Sequence, residues 1–451
     1  MRHTVRTKKP QSPVRIITLG FSLVIALGTL LLCMPFATRS GQSAGLMTAL
    51  FTATSATCVT GLVVEDTYLF WSPAGQAVIL ALIQVGGLGF MMVGAGFSLI
   101  VRRRITMRER VLLGKSLSVE ELSGIVRLSR WILGGTFALE GIGALILSIR
   151  FARDFGVAGG IVKGVFTSVS AFCNAGFDLM GEVGEYASLI PYRGDPAVTL
   201  TVSLLIILGG LGFYVWNDVA HRPVNGRYRL HTHLVLSTTV ILLAVGTVGF
   251  FAFERGNMQT MGRDGFFSQL LSAFFQSATV RTAGFDQLGQ GSLTGASQAL
   301  SALLMFVGGS PGSTAGGIKT TTLAVLVLTA LAPYRGRTRA RAFGRAISQK
   351  AVSDALSIFV MGIGVVTLGS FLVCTADGVG FSAALYECVS AFATVGLSVG
   401  ITPGLSAFSQ LVLVLLMFLG RVGIMTVGAA ALLRSTGESK IRLPEGKIMI
   451  G

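Results

Sequence analysis

The chain has 451 residues, 52% of them hydrophobic and only 12% charged, with a mean hydropathy of +0.73. That balance belongs to an integral membrane protein and argues against a soluble domain. A net charge of +16 would suit nucleic acid, but here the basic residues fall between apolar runs, the pattern of cytoplasmic loops, so no nucleic-acid partner is expected.

Residues 1–13 form a basic arm. The apolar run that follows, Val14–Phe36, is too long for a signal-peptide core and reads as a retained span. It opens a three-part unit that the chain states four times. A run long enough to cross a bilayer comes first: Val14–Phe36, Val126–Arg150, His233–Phe253 and Ala351–Thr375. A run of about a dozen residues follows, such as Ala44–Ala56 or Lys163–Phe172; at about 1.5 Å per residue it falls short of a bilayer and is expected to re-enter. A second long apolar run closes each unit: Ala74–Val101, Ala197–Val219, Ser297–Leu331 and Phe408–Leu433. The units occupy 14–101, 102–219 with a linker, 220–331, and 332–434 with a linker, before a tail at 435–451. This predicts an all-α integral membrane fold with eight transmembrane helices and four re-entrant pore loops around one pore.

Each short run ends in a variant of one motif. Aligned on Gly61, Gly176, Gly284 and Gly396, the copies lie 115, 108 and 112 residues apart, a period too long for a solenoid. A Ser-Ala pair precedes the glycine by six residues in three copies and by seven in the third, which holds one extra residue beside Arg281. Irregular backbone at membrane depth survives only where it is buried in protein or lines a wet cavity. Glycine lets carbonyls face such a path unobstructed, and carbonyls replace the hydration shell of a potassium-sized cation. The candidate ion-binding residues are therefore Val59, Thr60 and Gly61; Asn174, Ala175 and Gly176; Thr282, Ala283 and Gly284; and Thr394, Val395 and Gly396. Potassium at this ring is the one metal expected.

The closing runs carry a second repeat: Gly86-Gly87, Gly209-Gly210, Gly308-Gly309 and Gly420-Arg421. In the first two units close helix packing is the preferred reading. The third cannot stay helical, because Pro311 and five glycines fall within Gly308–Gly317. It is read as a mid-membrane loop spanning 308–319, with Gly308, Gly309, Ser310, Gly312, Ser313, Thr314, Gly316, Gly317 and Lys319 as candidate gate residues. Arg421 is placed at helix centre, where a charge costs about 2.5–3.5 kcal/mol, and joins the gate set. Loop carbonyls, or the hydroxyls of Ser310, Ser313 and Thr314, are its expected partners.

Five segments hold 26 of the 36 Lys and Arg: the arm through Arg15, Arg102–Arg130, His221–His231, Arg335–Lys350 and the tail from Arg434. The positive-inside rule puts them, and both termini, in the cytoplasm. On the other side Glu65, Asp66, Asp178, Glu182 and Asp286 follow the glycines, either as a solvated loop face or as a cation-concentrating mouth. Gly312–Thr320 is not a phosphate loop, since Ile318 separates Gly317 from Lys319. His231 and His233 lack further ligands for a metal. The five cysteines form no Cys-x-x-Cys pair, and Cys58 and Cys173 read as packing residues. Glu140 reads as a packing or lipid-boundary residue.

These residues resemble the Trk/Ktr/HKT superfamily of potassium uptake proteins, and eight spans without an added N-terminal pair are similar to its KtrB-type membrane subunits. The resemblance covers nearly the whole chain. It rests on Thr57-Cys-Val-Thr-Gly61, Asn174-Ala-Gly176, Arg281-Thr-Ala-Gly284, Thr394-Val-Gly396 and the third-unit loop. It implies one selectivity filter, an intramembrane gating loop with an arginine below the filter at Arg421, and a homodimer in the plasma membrane. It also implies a cytoplasmic nucleotide-binding regulatory ring of the KtrA type, with the nucleotide on that partner and no cofactor on this chain. The expected function is potassium uptake driven by the membrane potential, about 2.3 kcal/mol per charge per 100 mV, without chemistry and so not an enzyme. The alternatives are a sodium-coupled secondary transporter, a class that usually carries two-fold repeats, and a non-conducting membrane receptor or scaffold.

Overall fold

In the first unit, apolar residues at helical spacing build α1 (Pro13–Cys33), followed by α2 (Leu46–Cys58) and α3 (Pro73–Leu88). A short helix, α4 (Met107–Ser116), precedes the second unit. There α5 (Ile125–Cys173) runs through a break at Gly156 and is followed by α6 (Pro196–Leu211) and α7 (Phe213–Ala220). The third unit has α8 (Leu230–Glu254), α9 (Phe266–Thr279), α10 (Gly295–Phe306) and α11 (Thr320–Leu331). The fourth has α12 (Gln349–Asp377), α13 (Phe381–Ala393) and α14 (Ala407–Val422). This computed structural model describes residues 13–89, 92–96, 107–116, 124–221 and 228–423. The basic arm, the Arg102–Arg104 cluster and the tail lie outside the described residues. One small departure from all-α occurs between α11 and α12, where β1 (Arg341–Ala342) pairs with β2 (Arg345–Ala346) across Phe343-Gly344, both at positive φ.

The long helices are inside out by the standards of a soluble protein. On α1, Leu19, Leu23, Leu27 and Leu30 recur every three or four residues and are 52–61% exposed. Such a stripe is stable only against lipid. Among the described helices, α1, α5, α8 and α12 are long and apolar enough to cross a membrane, and the α6–α7 pair adds a fifth if counted as one span.

The third closing run is interrupted, as read in the sequence, and the first, second and fourth are broken as well. In each unit the helix after the repeat loop starts on a side-chain cap: Ser72 accepts from Gly75 N, Asp195 from Ala197 N and Val198 N, Thr294 from Ser297 N, and Ser406 from Ser409 N. Three of them stop just beyond the second glycine motif, and the third unit's stops just before it. Gly89 (φ 81) ends α3, Gly212 (φ 93) turns α6 into α7 through 93°, and Gly423 (φ 92) ends α14. The third stops at Val307, and α11 resumes at Thr320. The Gly86-Gly87 and Gly209-Gly210 pairs pack closely, as read, and the breaks belong to glycines beyond them. Gly86, Gly209 and Gly420 do lie directly on Thr57 O, Phe172 O and Phe392 O, leaving no room for a Cβ. Three residues further on, Gly89, Gly212 and Gly423 adopt a φ that only glycine tolerates cheaply.

These contacts close the four units into a ring in chain order. α3 packs on α5, α6 on α9, α10 on α13, and α14 returns to α2.

Candidate cation site

At the centre of the ring the four motifs share one backbone. Val59, Asn174, Thr282 and Thr394, each two residues before its glycine, have φ of 60°, 61°, 73° and 53°. The glycines follow at 92°, 70°, 80° and 93°. A left-handed L-residue costs about 1–2 kcal/mol, and for the β-branched Val59, Thr282 and Thr394 the position is unfavourable in isolation. Helix-end hydrogen bonds offset it. Val59 N donates to Ala56 O and Thr60 N to Ser55 O; Asn174 N and Ala175 N, and Thr394 N and Val395 N, repeat the pattern. The serine six residues before the glycine has a purpose in two copies, where Ser55 Oγ accepts from Gly61 N (3.1 Å) and Ser390 Oγ from Gly396 N (3.0 Å). The extra residue of the third copy lies in a longer turn, held by Ala283 N to Thr279 O and by Thr279 Oγ1 to Phe285 O (2.7 Å).

The glycines define the ring. A Cβ on Gly61 would strike Ala175 O, one on Gly176 would meet Ala283 O at 2.8 Å, one on Gly284 would strike Val395 O, and one on Gly396 would strike Thr60 O. Each glycine therefore faces the carbonyl just before the next glycine, and the fourth returns to the first. Main-chain groups of Thr60, Gly61, Ala175, Gly176, Ala283, Gly284, Val395 and Gly396 meet here, while Val59, Asn174, Thr282 and Thr394 are the left-handed residues that lead into them. Of the side chains, the Asn174 amide lies 3.5 Å from Thr282 Oγ1; turned so that its nitrogen faces acceptors, it donates to Ala171 O (3.0 Å) and Ile206 O (3.2 Å). Just before the ring α2, α5, α9 and α13 all end, so four helix C-termini, each carrying about half a negative charge, favour a cation.

Outside the ring is a cavity of about 480 Å³, lined by the four glycines together with Asp66, Asp178, Asp286 and Tyr186. Two of the acids are committed to loop structure. Asp66 accepts from Tyr68 N, Leu69 N and Tyr186 N, and Asp286 from Leu288 N, Gly289 N and Gln290 N. Asp178 accepts from Met180 N; burial, with Asp66 nearby, raises its carboxyl to about 6.

Beside the ring, against Thr282 and Thr394, runs the segment 308–319. Gly308 N donates to Ile318 O and Thr320 N to Gly309 O, which draws the two ends of the loop together. Its body is fixed to the second unit: Ser310 N to Gly210 O, Thr314 N to Gly209 O, Thr314 Oγ1 to Phe172 O (3.2 Å), and Phe213 N to Gly312 O. Gly316 lies against Thr394, and Gly317 (φ 65) against Ala393, both in the fourth unit. Lys319 Nζ turns back onto Ala315 O (2.8 Å).

Arg421 sits in the last turn of α14 rather than at helix centre, because the helix stops at Gly423; carbonyls there favour a cation. Its guanidinium donates to Thr314 O, Gly86 O and Gly87 O (3.2 Å for the last), tying the loop to the first unit. Loop hydroxyls do not take part. Ser310 Oγ pairs with Thr320 Oγ1, Ser313 Oγ donates to Ser310 O, and Thr314 Oγ1 is occupied by Phe172 O.

The whole arrangement has relatives. Residues 7–439 match the family TrkH, cation transport protein. The chain belongs to the TrkH family. It is 41% identical to the potassium/sodium uptake protein NtpJ of Enterococcus hirae, with 99% of each chain covered. It is 37% identical to the Ktr system potassium uptake protein B of Bacillus subtilis, over 98% of this chain and 97% of that one. The crystal structure of the potassium transporter TrkH from Vibrio parahaemolyticus shares the fold, with a TM-score of 0.72 and 18% identity over 96% of this chain and 87% of that one. These relatives are transporters, not enzymes.

In this TrkH-family chain, some residues around the ring escaped the motif reading. Glu387, fully buried on α13, accepts from Ser398 Oγ (2.6 Å), Val399 N (3.0 Å) and Thr402 Oγ1 (2.8 Å), and so ties down the segment leaving Gly396. Its place within the repeat copy was visible, but its loop partners lie 11 to 15 residues further on. Arg281 is 7% exposed, with Nε unbonded. It lines a cavity of about 10 Å³ with Gly210, Leu243 and Gly309, room for about one water.

Proposed function

We propose that this chain carries potassium into the cell through the glycine ring. The observation that supports this best is the closed cycle in which each glycine faces its neighbour's carbonyl. A ring of carbonyls without side chains suits a large, weakly hydrated monovalent cation, and four helix C-termini add to the attraction. In this reading the chain crosses the bilayer eight times, with α2, the C-terminal part of α5, α9 and α13 as re-entrant pore helices and both termini in the cytoplasm. The 308–319 loop and Arg421 form the gate. A second copy of the chain and a cytoplasmic nucleotide-binding ring complete the system, a reading supported by the "Ktr system" designation of relatives.

One relative is described as a potassium/sodium uptake protein, which makes the ratio of the two fluxes the informative quantity. Purified protein in liposomes, under an inside-negative potential and without a sodium gradient, should take up K⁺ and Rb⁺ well ahead of Na⁺. Uptake that requires an imposed sodium gradient would identify a coupled transporter, and no cation uptake would leave a receptor or scaffold.

A further inference from the structure

The second unit holds an acid that neither the ring nor the gate uses. Glu140, near the middle of the first half of α5, is 4% exposed. Gln84 Nε2 on α3 donates to both of its carboxyl oxygens, at 3.2 Å each. The thiol of Cys173, the residue just before Asn174, lies 3.8 Å from Glu140 Oε1 and 3.7 Å from Gln84 Oε1. From the part of α5 beyond the break at Gly156, Ser168 Oγ donates to Glu140 O (2.6 Å). Among the described residues no ion pair reaches Glu140; its partners are Gln84 and Cys173.

The site has no packing reason to be polar. It floors a groove of about 490 Å³ lined by Leu80, Ala81, Phe137, Ala144, Val165 and Val169, and Phe137 at the rim is 59% exposed. A leucine would suit that lining better than a carboxyl, and a polar group facing lipid persists where it makes a specific bond. The bond it makes is directional. It joins α3, which supplies the Gly86 and Gly87 carbonyls to Arg421, to the residue that starts the second ring segment. A Cβ at Gly87 would lie 2.6 Å from Cys173 Sγ, so the thiol is held on that side as well.

We propose that Glu140 is a positioning residue for ion selection: clamped by Gln84, its carboxyl fixes Cys173 and with it the register of Asn174-Ala175-Gly176 in the ring. This rests on the filter reading given above. It sets the K⁺/Na⁺ ratio rather than the amount of folded protein, because the ring distinguishes ions by where its carbonyls stand. An alternative role as a lipid-boundary residue would leave that ratio untouched.

The test is the K⁺/Na⁺ flux ratio in proteoliposomes for the parent, Glu140→Leu, Glu140→Gln, Gln84→Met and Gly176→Ser. Glu140→Leu and Gln84→Met should each lower the ratio at least fivefold, while Glu140→Gln, which keeps a hydrogen-bonding head of the same length, should stay within twofold of the parent. If Glu140→Leu does not assemble, Gln84→Met, which leaves the carboxyl in place, decides alone. Parent ratios in Glu140→Leu or Gln84→Met, with Gly176→Ser shifted, overturn this proposal and leave the filter reading standing. A parent ratio in Gly176→Ser removes the second segment from ion selection and overturns this proposal, whereas the filter reading falls only if serine at all four ring glycines leaves the ratio unchanged.

Discussion

Deleting Ser310–Ala315 should raise K⁺ flux in proteoliposomes at least tenfold, with the order of selectivity among cations kept. The deletion removes the groups that bind the loop to the second unit through Ser310 N, Thr314 N, Thr314 Oγ1 and Gly312 O, together with the Thr314 carbonyl held by Arg421. Hydrogen bonds of this kind contribute about 0.5–1.5 kcal/mol each, so the closed loop is held by several. The chain can be rejoined at little strain. Gly308 already lies against Gly316, and Gly309 against Ala315, so the new ends start as neighbours. Since no ring residue is removed, discrimination should persist. Arg421→Ala should act in the same direction but more weakly, because it removes the charge and three hydrogen bonds but leaves the loop on the second unit. Two unit charges about 6 Å apart at an effective dielectric near 20 repel by about 3 kcal/mol, which caps the gain from losing the arginine at about a hundredfold. Normal insertion of both variants with parental flux would reduce the loop to a packing break.

The second large effect is expected at the ring. Gly61→Ser should lower the K⁺/Na⁺ flux ratio at least tenfold. Gly61 has φ 92, and a Cβ there would strike Ala175 O. Serine must therefore displace the carbonyl that Ala175 contributes, and its hydroxyl offers a smaller, closer ligand in exchange. The cyclic arrangement predicts the same class of effect at Gly176, Gly284 and Gly396, each acting on the next segment. Gly41→Ser is the control: its φ is 68, yet no atom lies within 4 Å of an added Cβ. It carries the backbone cost without touching the ring. Parental ratios for serine at all four ring positions, in protein that still conducts, would sink the assignment.

How far the sequence foretells all this depends on how local each feature is. Length and apolarity marked α1, α8 and α12, and the fixed step from serine to glycine marked the ring segments, because a helix end and its left-handed residue are built from neighbours. The limits of α5 were less legible: a span and a short helix fuse, with only Gly156 at φ 71 between them. Gly86 and Gly209 were readable as small residues at a contact, but the break falls three residues later at Gly89 and Gly212, where a nearly unbroken apolar run hides it. Arg421 was recognised as a buried charge. Loop carbonyls were among its expected partners, and Thr314 O is one; the Gly86 and Gly87 carbonyls were not foreseen, because they precede it by 335 and 334 residues. The partners of Glu140 were hidden for the same reason, since Gln84 and Cys173 belong to other helical segments and give α5 no periodic sign.

The central claim is that the four glycine segments form one cation site, and the most direct test is to look for the ion. Thallium(I), close to potassium in size, can be located by anomalous scattering in crystals of the protein grown with a thallium salt in place of potassium. The account predicts a peak on the axis of the ring, enclosed by the carbonyls of Thr60, Ala175, Ala283 and Val395, that weakens in Gly61→Ser. Well-ordered thallium elsewhere in the protein, with none inside the ring, would contradict it.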